Sequence, residues 1–143
     1  MSIIQWDGSL AIGHAVIDGQ HRGLIEVINR LHTVYSCGNG DDIRIVLLEL
    51  YKYTLFHFGE EESLMAQIGY VESPSHKQEH ERFIERLDAL AVKAKAGDAC
   101  INAELFNWLV AWLLDHISVT DRMLGAALAR EEGLVHGEAH LPL

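Results

Sequence analysis

Apolar residues recur at helical spacing in four long stretches, separated by short segments that break a helix. The first runs from about Asp18 to Tyr35, with Ile17, Leu24, Ile28 and Leu31 on one stripe, and ends at the double-glycine turn signal Ser36-Cys37-Gly38-Asn39-Gly40. The second opens at Asp41-Asp42, negative charges suited to a helix N-terminus, carries Ile45, Leu48, Tyr51, Leu55 and Phe58, and runs to Gly69. Ser73-Pro74 opens the third as an N-cap followed by proline at the first helical position, and Lys95-Ala96-Gly97 closes it with a basic turn and a glycine stop. The fourth starts near Asp98 or Asn102 and continues through Trp108, Trp112 and Leu113 to about Glu131. No alternating β-rich stretch competes, and the connections are short. The pattern predicts an all-α fold, an up-down-up-down four-helix bundle, within a single domain spanning 1–143. The bundle takes up about 18–131. Residues 1–17 form an irregular arm whose Ile3, Trp6, Leu10, Ile12 and Ile17 are too apolar to stay in water, so the arm packs along the bundle. Residues 132–143, with two glycines and Pro142, read as a ragged tail.

Composition narrows the function classes. The chain is 49% hydrophobic with only two prolines, which excludes collagen-like and disordered classes. A net charge of −10 repels a phosphate backbone or an anionic bilayer, so neither nucleic acid nor a membrane surface is an expected partner. The surface sequence names no protein partner. The longest apolar run, Trp108 to Leu114, falls far short of the roughly 18 residues of a membrane-spanning helix. No basic segment followed by an apolar stretch opens the chain, so the expected compartment is the cytoplasm. Cys37 and Cys100 make no disulfide framework and read as free thiols. The topology puts their two turns at the same end of the bundle, which leaves a redox-formed bridge as an open alternative.

Nine histidines are the unusual number. His57 and Glu61 stand four apart on the second helix, and His76 and His80 repeat that step on the third, so each pair lies about 40° apart on one face. The first helix offers His21, and the fourth offers His116 and Asp121. Phe58, Met65, Phe83 and Leu87 share these faces, which turns the polar groups inward. Unpaired buried polar groups cost about 1–3 kcal/mol each, and charges more. Chance surface histidines would not be distributed in this way over four helices, and a metal centre is the natural compensation. Imidazole with carboxylate suits iron, zinc, copper or nickel, and seven donors exceed what one tetrahedral zinc uses, so two ions bridged by the carboxylates fit better.

The series Trp6-Asp7, Ile17-Asp18-x-Gln20-His21, His57-Phe58-x-x-Glu61-Glu62-x-x-Met65, His76-x-x-x-His80-x-x-Phe83 and Trp112-Leu113-x-x-His116-Ile117-x-x-x-Asp121 resembles the hemerythrin family, especially its single-domain bacterial members. The match spans residues 6 to about 124. The resemblance implies that His76, His80 and His116 bind one iron and His21 and His57 a second, with Glu61 and Asp121 bridging an oxo- or hydroxo-bridged pair. It implies reversible binding of dioxygen, for storage, delivery or sensing, without an enzymatic role. It also implies an apolar dioxygen pocket of Leu24, Phe58, Trp112, Leu113 and Ile117, positions that periodicity alone reads as plain core. Carboxylate-rich di-iron enzymes of the bundle class use Glu-x-x-His, which this chain lacks. Neutral imidazoles stabilise high-valent iron less than anionic oxygens do, which favours returning dioxygen over splitting it. The alternatives are a di-iron peroxidase or nitric oxide handling enzyme, an iron-storage role, and a structural metal site.

One spacing strains the pattern. His116 and Asp121 are five apart, which leaves them about 140° apart on an ideal helix, so a π-bulge, kink or unwound turn is predicted between Ile117 and Thr120. Thr120 puts a hydroxyl next to the bridging carboxylate, as an outer donor to the centre or a route for water, or else bonds back to its own helix. Gly59, inside the second helix, allows a close helix approach or a gas path, or is simply tolerated. His14, His32, His136 and His140 read as non-ligands in surface or tail positions.

Overall fold

The computed structural model describes residues 4–37, 40–95 and 103–140. Its elements are a single 3-10 turn (Gly8–Leu10), α1 (Ala15–Cys37), α2 (Gly40–Ile68), α3 (Ser73–Lys95), α4 (Ala103–Asp115), a π-helical segment (His116–Asp121) and α5 (Arg122–His140). The α4, π and α5 pieces run on without a break as the fourth rod of an up-down-up-down bundle, with α1 packed on α2 and α2 on α3. No strand occurs among the described residues.

Each rod turns one stripe inward. On α1 this is Ile17, His21, Leu24, Ile28 and Leu31, and on α3 it is His76, His80, Phe83, Leu87 and Leu90, all buried. These steps of three and four keep a stripe on one side of a 3.6-residue helix. The α2 stripe differs from the sequence expectation. Ile45, Leu48 and Leu55 are exposed, Tyr51 is half-buried, and the inward positions are Ile43, Leu47, Leu50, Thr54, His57, Glu61 and Met65. The first half of α2 is apolar on both sides, so periodicity alone could not choose a face. Contact with α1 and α3 decides it.

The boundaries also carry corrections. Ser73 is the first helical residue of α3 rather than its cap, because the His76 amide already bonds the Glu72 carbonyl at 3.0 Å. The α2 helix stops at Gly69, whose φ of +59° lets the Gly69 and Tyr70 amides return to the Ala66 and Met65 carbonyls at 3.3 and 3.0 Å. The last helix continues to His140, past the end expected near Glu131. Gly133 and Gly137 lower helix propensity without stopping the helix, since each costs only about 1 kcal/mol against alanine. The side chains of His136 and His140, and the pairing of Cys37 with Cys100, lie outside the described residues.

The arm is docked by specific bonds. Ile4, Leu10 and Ile12 are buried, and the Asn29 side chain of α1 accepts from the Ile4 amide at 3.0 Å and donates to its carbonyl at 2.8 Å. Asp7 caps the 3-10 turn by accepting from the Ser9 amide at 2.7 Å. His14 ends the arm as the cap of α1, its Nδ1 taking the Ile17 amide at 3.3 Å. Ile17 therefore belongs to the helix and not to the arm. His32 is half-buried on α1, against Phe106 at 5.1 Å between ring centres.

Candidate metal centre

The inward stripes bring seven donors to one level of the bundle. Glu61, His76, His80, His116 and Asp121 converge as one group capable of holding a cation, and His21, His57, Glu61 and Asp121 as a second. All seven are buried. Glu61 and Asp121 belong to both groups, and each divides its oxygens between them. Glu61 Oε1 lies 3.0 Å from His80 Nε2, 3.5 Å from His76 Nε2 and 3.9 Å from His116 Nε2, while Oε2 lies 3.4 Å from His57 Nε2 and 3.6 Å from His21 Nε2. Asp121 repeats the division, with Oδ1 at 3.0 Å from His76 and 3.1 Å from His116, and Oδ2 at 2.9 Å from His21. Two donors held about 2.1 Å from one ion at right angles stand about 3.0 Å apart, so the shortest of these separations suit neighbours in a coordination shell.

The outward nitrogens fix which atom faces inward. His57 Nδ1 lies 2.7 Å from Gln20 Oε1, His80 Nδ1 3.0 Å from Glu62 Oε2, and His116 Nδ1 3.0 Å from Glu79 Oε1. All three partners are acceptors, so each ring carries its proton on Nδ1 and turns the lone pair of Nε2 inward. His80 Nε2 and His116 Nε2 then face each other at 3.1 Å among carboxylate oxygens that also only accept. The Nε2 atoms of His21, His57 and His76, both Asp121 oxygens and Glu61 Oε2 are buried without a hydrogen-bond partner among the described residues. Only positive charge, as protons or as metal cations, reconciles so many converging acceptors. The donor set thus fits the iron that the sequence pattern implies.

The fourth rod shows how the strained spacing is met. Its buried stripe of Phe106, Leu109, Leu113, His116, Asp121 and Leu124 steps by three or four except once, by five, between His116 and Asp121. The helix is π-helical across that interval, as the spacing predicts, and the wider turn returns Asp121 to the face of His116. Thr120 does not bond back to its own helix but acts as a donor, to the carboxylate that holds His116. Its hydroxyl donates to both oxygens of Glu79, at 2.8 and 3.0 Å.

Electrostatics in the metal-free protein follow from this crowding. Burial opposes charge on His21, but the carboxylates of Asp121 and Glu61 close to its Nε2 outweigh it and raise the imidazole from 6.5 to about 9. His76 and His116 are raised in the same way against their own burial. His80 is lowered, chiefly by burial. Glu61 and Asp121 are depressed, because their imidazole partners overcome the burial that would raise them. The raised histidines, His21, His76 and His116, contribute stability that is complete below about 6.5 and lost as pH rises through their folded values, against an opposite contribution from His80 alone among the shifted imidazoles. Metal-free protein should therefore lose stability from pH 6.5 to 9 in urea melts taken as a pH series. Loading with ferrous ion should release protons and tighten over the same window. A melt midpoint that rises across it would contradict this assignment of charge.

Apolar rings cover the donors. Phe58 lies parallel to His80 with centroids 3.7 Å apart, and Trp112 lies parallel to His116 at 4.5 Å. Leu24, Leu113 and Ile117 are buried in the same cluster as Phe58. A groove of about 400 Å³ between α2 and α3, lined by Leu55, Gly59, Glu62 and Ile84 among others, reaches Phe58 and the outer side of His80. Gly59 lines this groove, and a Cβ there would meet nothing within 4 Å, so no close helix approach requires it. Close approach requires glycine at Gly125, where a Cβ would fall 2.5 Å from the Ile12 carbonyl oxygen, and crowds Gly23. Tyr53 donates to the Gln20 carbonyl at 2.9 Å, and a Cβ on Gly23 would fall 2.1 Å from its hydroxyl. Gly23→Ala should displace Tyr53, loosen the residue that holds His57, and cost about 1–3 kcal/mol in thermal melts.

The seven residues that the sequence pattern singles out are the ones the structure brings together, but the roles of Gln20, Glu62 and Glu79 are not legible in that pattern. Gln20 and Glu62 adjoin donors, and Glu62 is hidden in the run Glu60-Glu61-Glu62. Glu79, beside His80, serves a histidine on another helix, which only packing reveals.

Comparison with known proteins agrees with this geometry. The family model described as the hemerythrin HHE cation binding domain matches residues 13–128. A bacteriohemerythrin of Pseudomonas aeruginosa (strain LESB58) is 40% identical over 121 residues, 85% of this chain and 78% of its own length. One from Stenotrophomonas maltophilia is 38% identical over 122 residues, 85% of this chain and 79% of its own length. One from Methylococcus capsulatus is 30% identical over 132 residues, 90% of this chain and 99% of its own length. Among solved structures, wild-type hemerythrin superposes with a TM-score of 0.83 at 29% identity, covering 88% of this chain and 98% of that one. With the family model and these relatives spanning most of the sequence, the chain belongs to the hemerythrin family.

Proposed function

We propose that this chain binds dioxygen reversibly at a pair of non-haem iron ions joined by an oxygen bridge, and serves in oxygen storage, delivery or sensing. The observation that carries the reading is the division of the Glu61 and Asp121 oxygens between the two histidine groups, which suits two cations held side by side. Iron, when bound, lends electron density to dioxygen and recovers it on release. The rest is the work of the chain. His76, His80 and His116 hold one position, His21 and His57 the other, and the two carboxylates span both. The His21 position has four protein donors against five at its neighbour, so it has the freer coordination shell. Leu24, Phe58, Leu113 and Ile117, buried, and Trp112, half-buried against His116, give the centre an apolar surround that would limit water and protect the bound state from protons and hydrolysis. Gln20, Glu62 and Glu79 hold the Nδ1 protons of His57, His80 and His116 outward, so those three rings turn Nε2 to the centre.

The reading is tested by reducing the iron-loaded protein without air, admitting air, recording the charge-transfer bands and purging with argon. An oxygenated spectrum that forms and then bleaches supports it. Irreversible conversion to a ferric spectrum overturns it in favour of a redox enzyme, a second reading favoured by the groove that brings solvent to the outer side of His80. No response in either step leaves a structural metal site. No helix among the described residues is long and apolar enough to cross a membrane.

A further inference from the structure

A π turn is rarer and less stable than the α turns on either side of it, and an extra residue in a helix can migrate along it. Something must hold this one between His116 and Asp121. Two side chains grip it from opposite sides. On the outer side, Arg122 Nε donates to the Ser118 carbonyl at 3.1 Å, and its guanidinium also reaches the Ser9 carbonyl of the arm. On the inner side, a single carboxylate bridges the segment. Glu79 accepts from Nδ1 of His116, the first π residue, at 3.0 Å and from the hydroxyl of Thr120, the fifth, at 2.8 Å. Glu79 itself sits on α3 between His76 and His80, so the helix that supplies two donors also supplies the brace.

We propose that Glu79 is a positioning residue that fixes the register of the π turn, and through it the place of Asp121 in the metal centre. The bracket at His116 and Thr120 prevents the extra residue from slipping past Asp121 toward α5. If it slipped, the interval would close as α-helix and leave Asp121 about 140° from His116. The proposal rests on the reading of Asp121 as a metal donor, but the brace itself is a property of the metal-free chain and is tested there.

Amide hydrogen exchange over residues 117–122 should be measured on full-length metal-free protein for the wild type, Glu79→Ala, Glu79→Gln and Thr120→Val, with ferrous-ion titrations of each. Glu79→Ala should speed exchange across the segment about tenfold or more and weaken ferrous-ion binding by about 10- to 100-fold. Glu79→Gln should restore most of both, since its amide oxygen can still accept from Thr120 and His116. Thr120→Val should fall between, and in combination with Glu79→Ala should add little further. Unchanged exchange in both Glu79→Ala and Thr120→Val overturns the proposal. So does weakened iron binding with unchanged exchange, or a Glu79→Gln chain as loose as Glu79→Ala, because charge and not bracing would then be at work. If Glu79→Ala does not fold, Thr120→Val decides the matter, since it removes one end of the brace and leaves the carboxylate and His116 in place. If Asp121→Ala retains its iron while the exchange results hold, the donor reading fails and the brace stands.

Discussion

A chain carrying Asp121→Ala should fold as a bundle and fail to hold two irons. Asp121 is the carboxylate nearest the inward Nε2 of three separate histidines, at 2.9 Å from His21, 3.0 Å from His76 and 3.1 Å from His116, and it is fully buried. Its loss removes a donor from both cation groups at once and leaves five buried imidazoles with one carboxylate. Loss of a mere outer partner of a ligand costs about 10- to 100-fold in metal affinity, so loss of a shared donor should cost more than 100-fold. Asp121→Asn separates shape from charge. It keeps one oxygen acceptor but leaves more of the cations' charge unneutralised in a buried site, so it should also bind weakly. Iron per chain by elemental analysis, together with the optical response to air, reads both variants. Two irons and an unaltered spectrum in Asp121→Ala would remove Asp121 from the centre.

The second large effect concerns length. Inserting one alanine after Val119 should abolish metal binding, whereas deleting Val119 should preserve it. Val119 lies within the π segment and is 53% exposed, so its own side chain supports little. Deletion leaves His116 and Asp121 four apart, about 40° around a regular α-helix, and both still face inward. The stripe would then continue to Leu124 in ordinary steps of four and three. Insertion sets the two donors six positions apart, about 120° out of line on an α-helix, and turns the buried Leu124 and Ala127 away from the core. The inserted chain should lose both its iron and several kcal/mol of stability in urea melts, within the range of severe core disruption. In the deleted chain Glu79→Ala should keep only the part of its effect on iron binding that comes through His116 Nδ1, since no π turn remains to be braced. Equal iron binding by the inserted and deleted chains would refute this geometry.

The donors were legible because metal chemistry restricts residue type and the helix restricts spacing. His57 with Glu61 and His76 with His80 each mark one face of one rod. Even the departure from regularity was readable, because a five-residue step cannot be reconciled with an α-helix. The inward face of α2 was not readable. Its first half carries Ile45 and Leu48 outside as well as Val46 and Leu47 inside, and no local rule distinguishes them. Glu79 escaped for a related reason. On α3 alone it is one acidic residue among several, and its meaning arises where α3 meets the fourth rod. Thr120 was legible as a donor beside the centre but its acceptor was not, since the choice between Asp121 and Glu79 depends on which way the π turn rolls its fifth residue.

The donors come from every rod of the bundle: His21 from α1, His57 and Glu61 from α2, His76 and His80 from α3, and His116 and Asp121 from the fourth. No rod can peel away from the loaded protein without breaking bonds to a cation shared with the others, and His21 and Asp121 tie together residues 100 positions apart in the chain. Iron then acts as a reversible cross-link, and its escape is governed by the opening of the fold. Loss of iron to an external chelator should track the unfolding rate and vary little with chelator concentration once chelator is in excess. The lifetime of the centre is then a kinetic property of the whole bundle, set as much by leucines far from the metal as by the histidines that touch it.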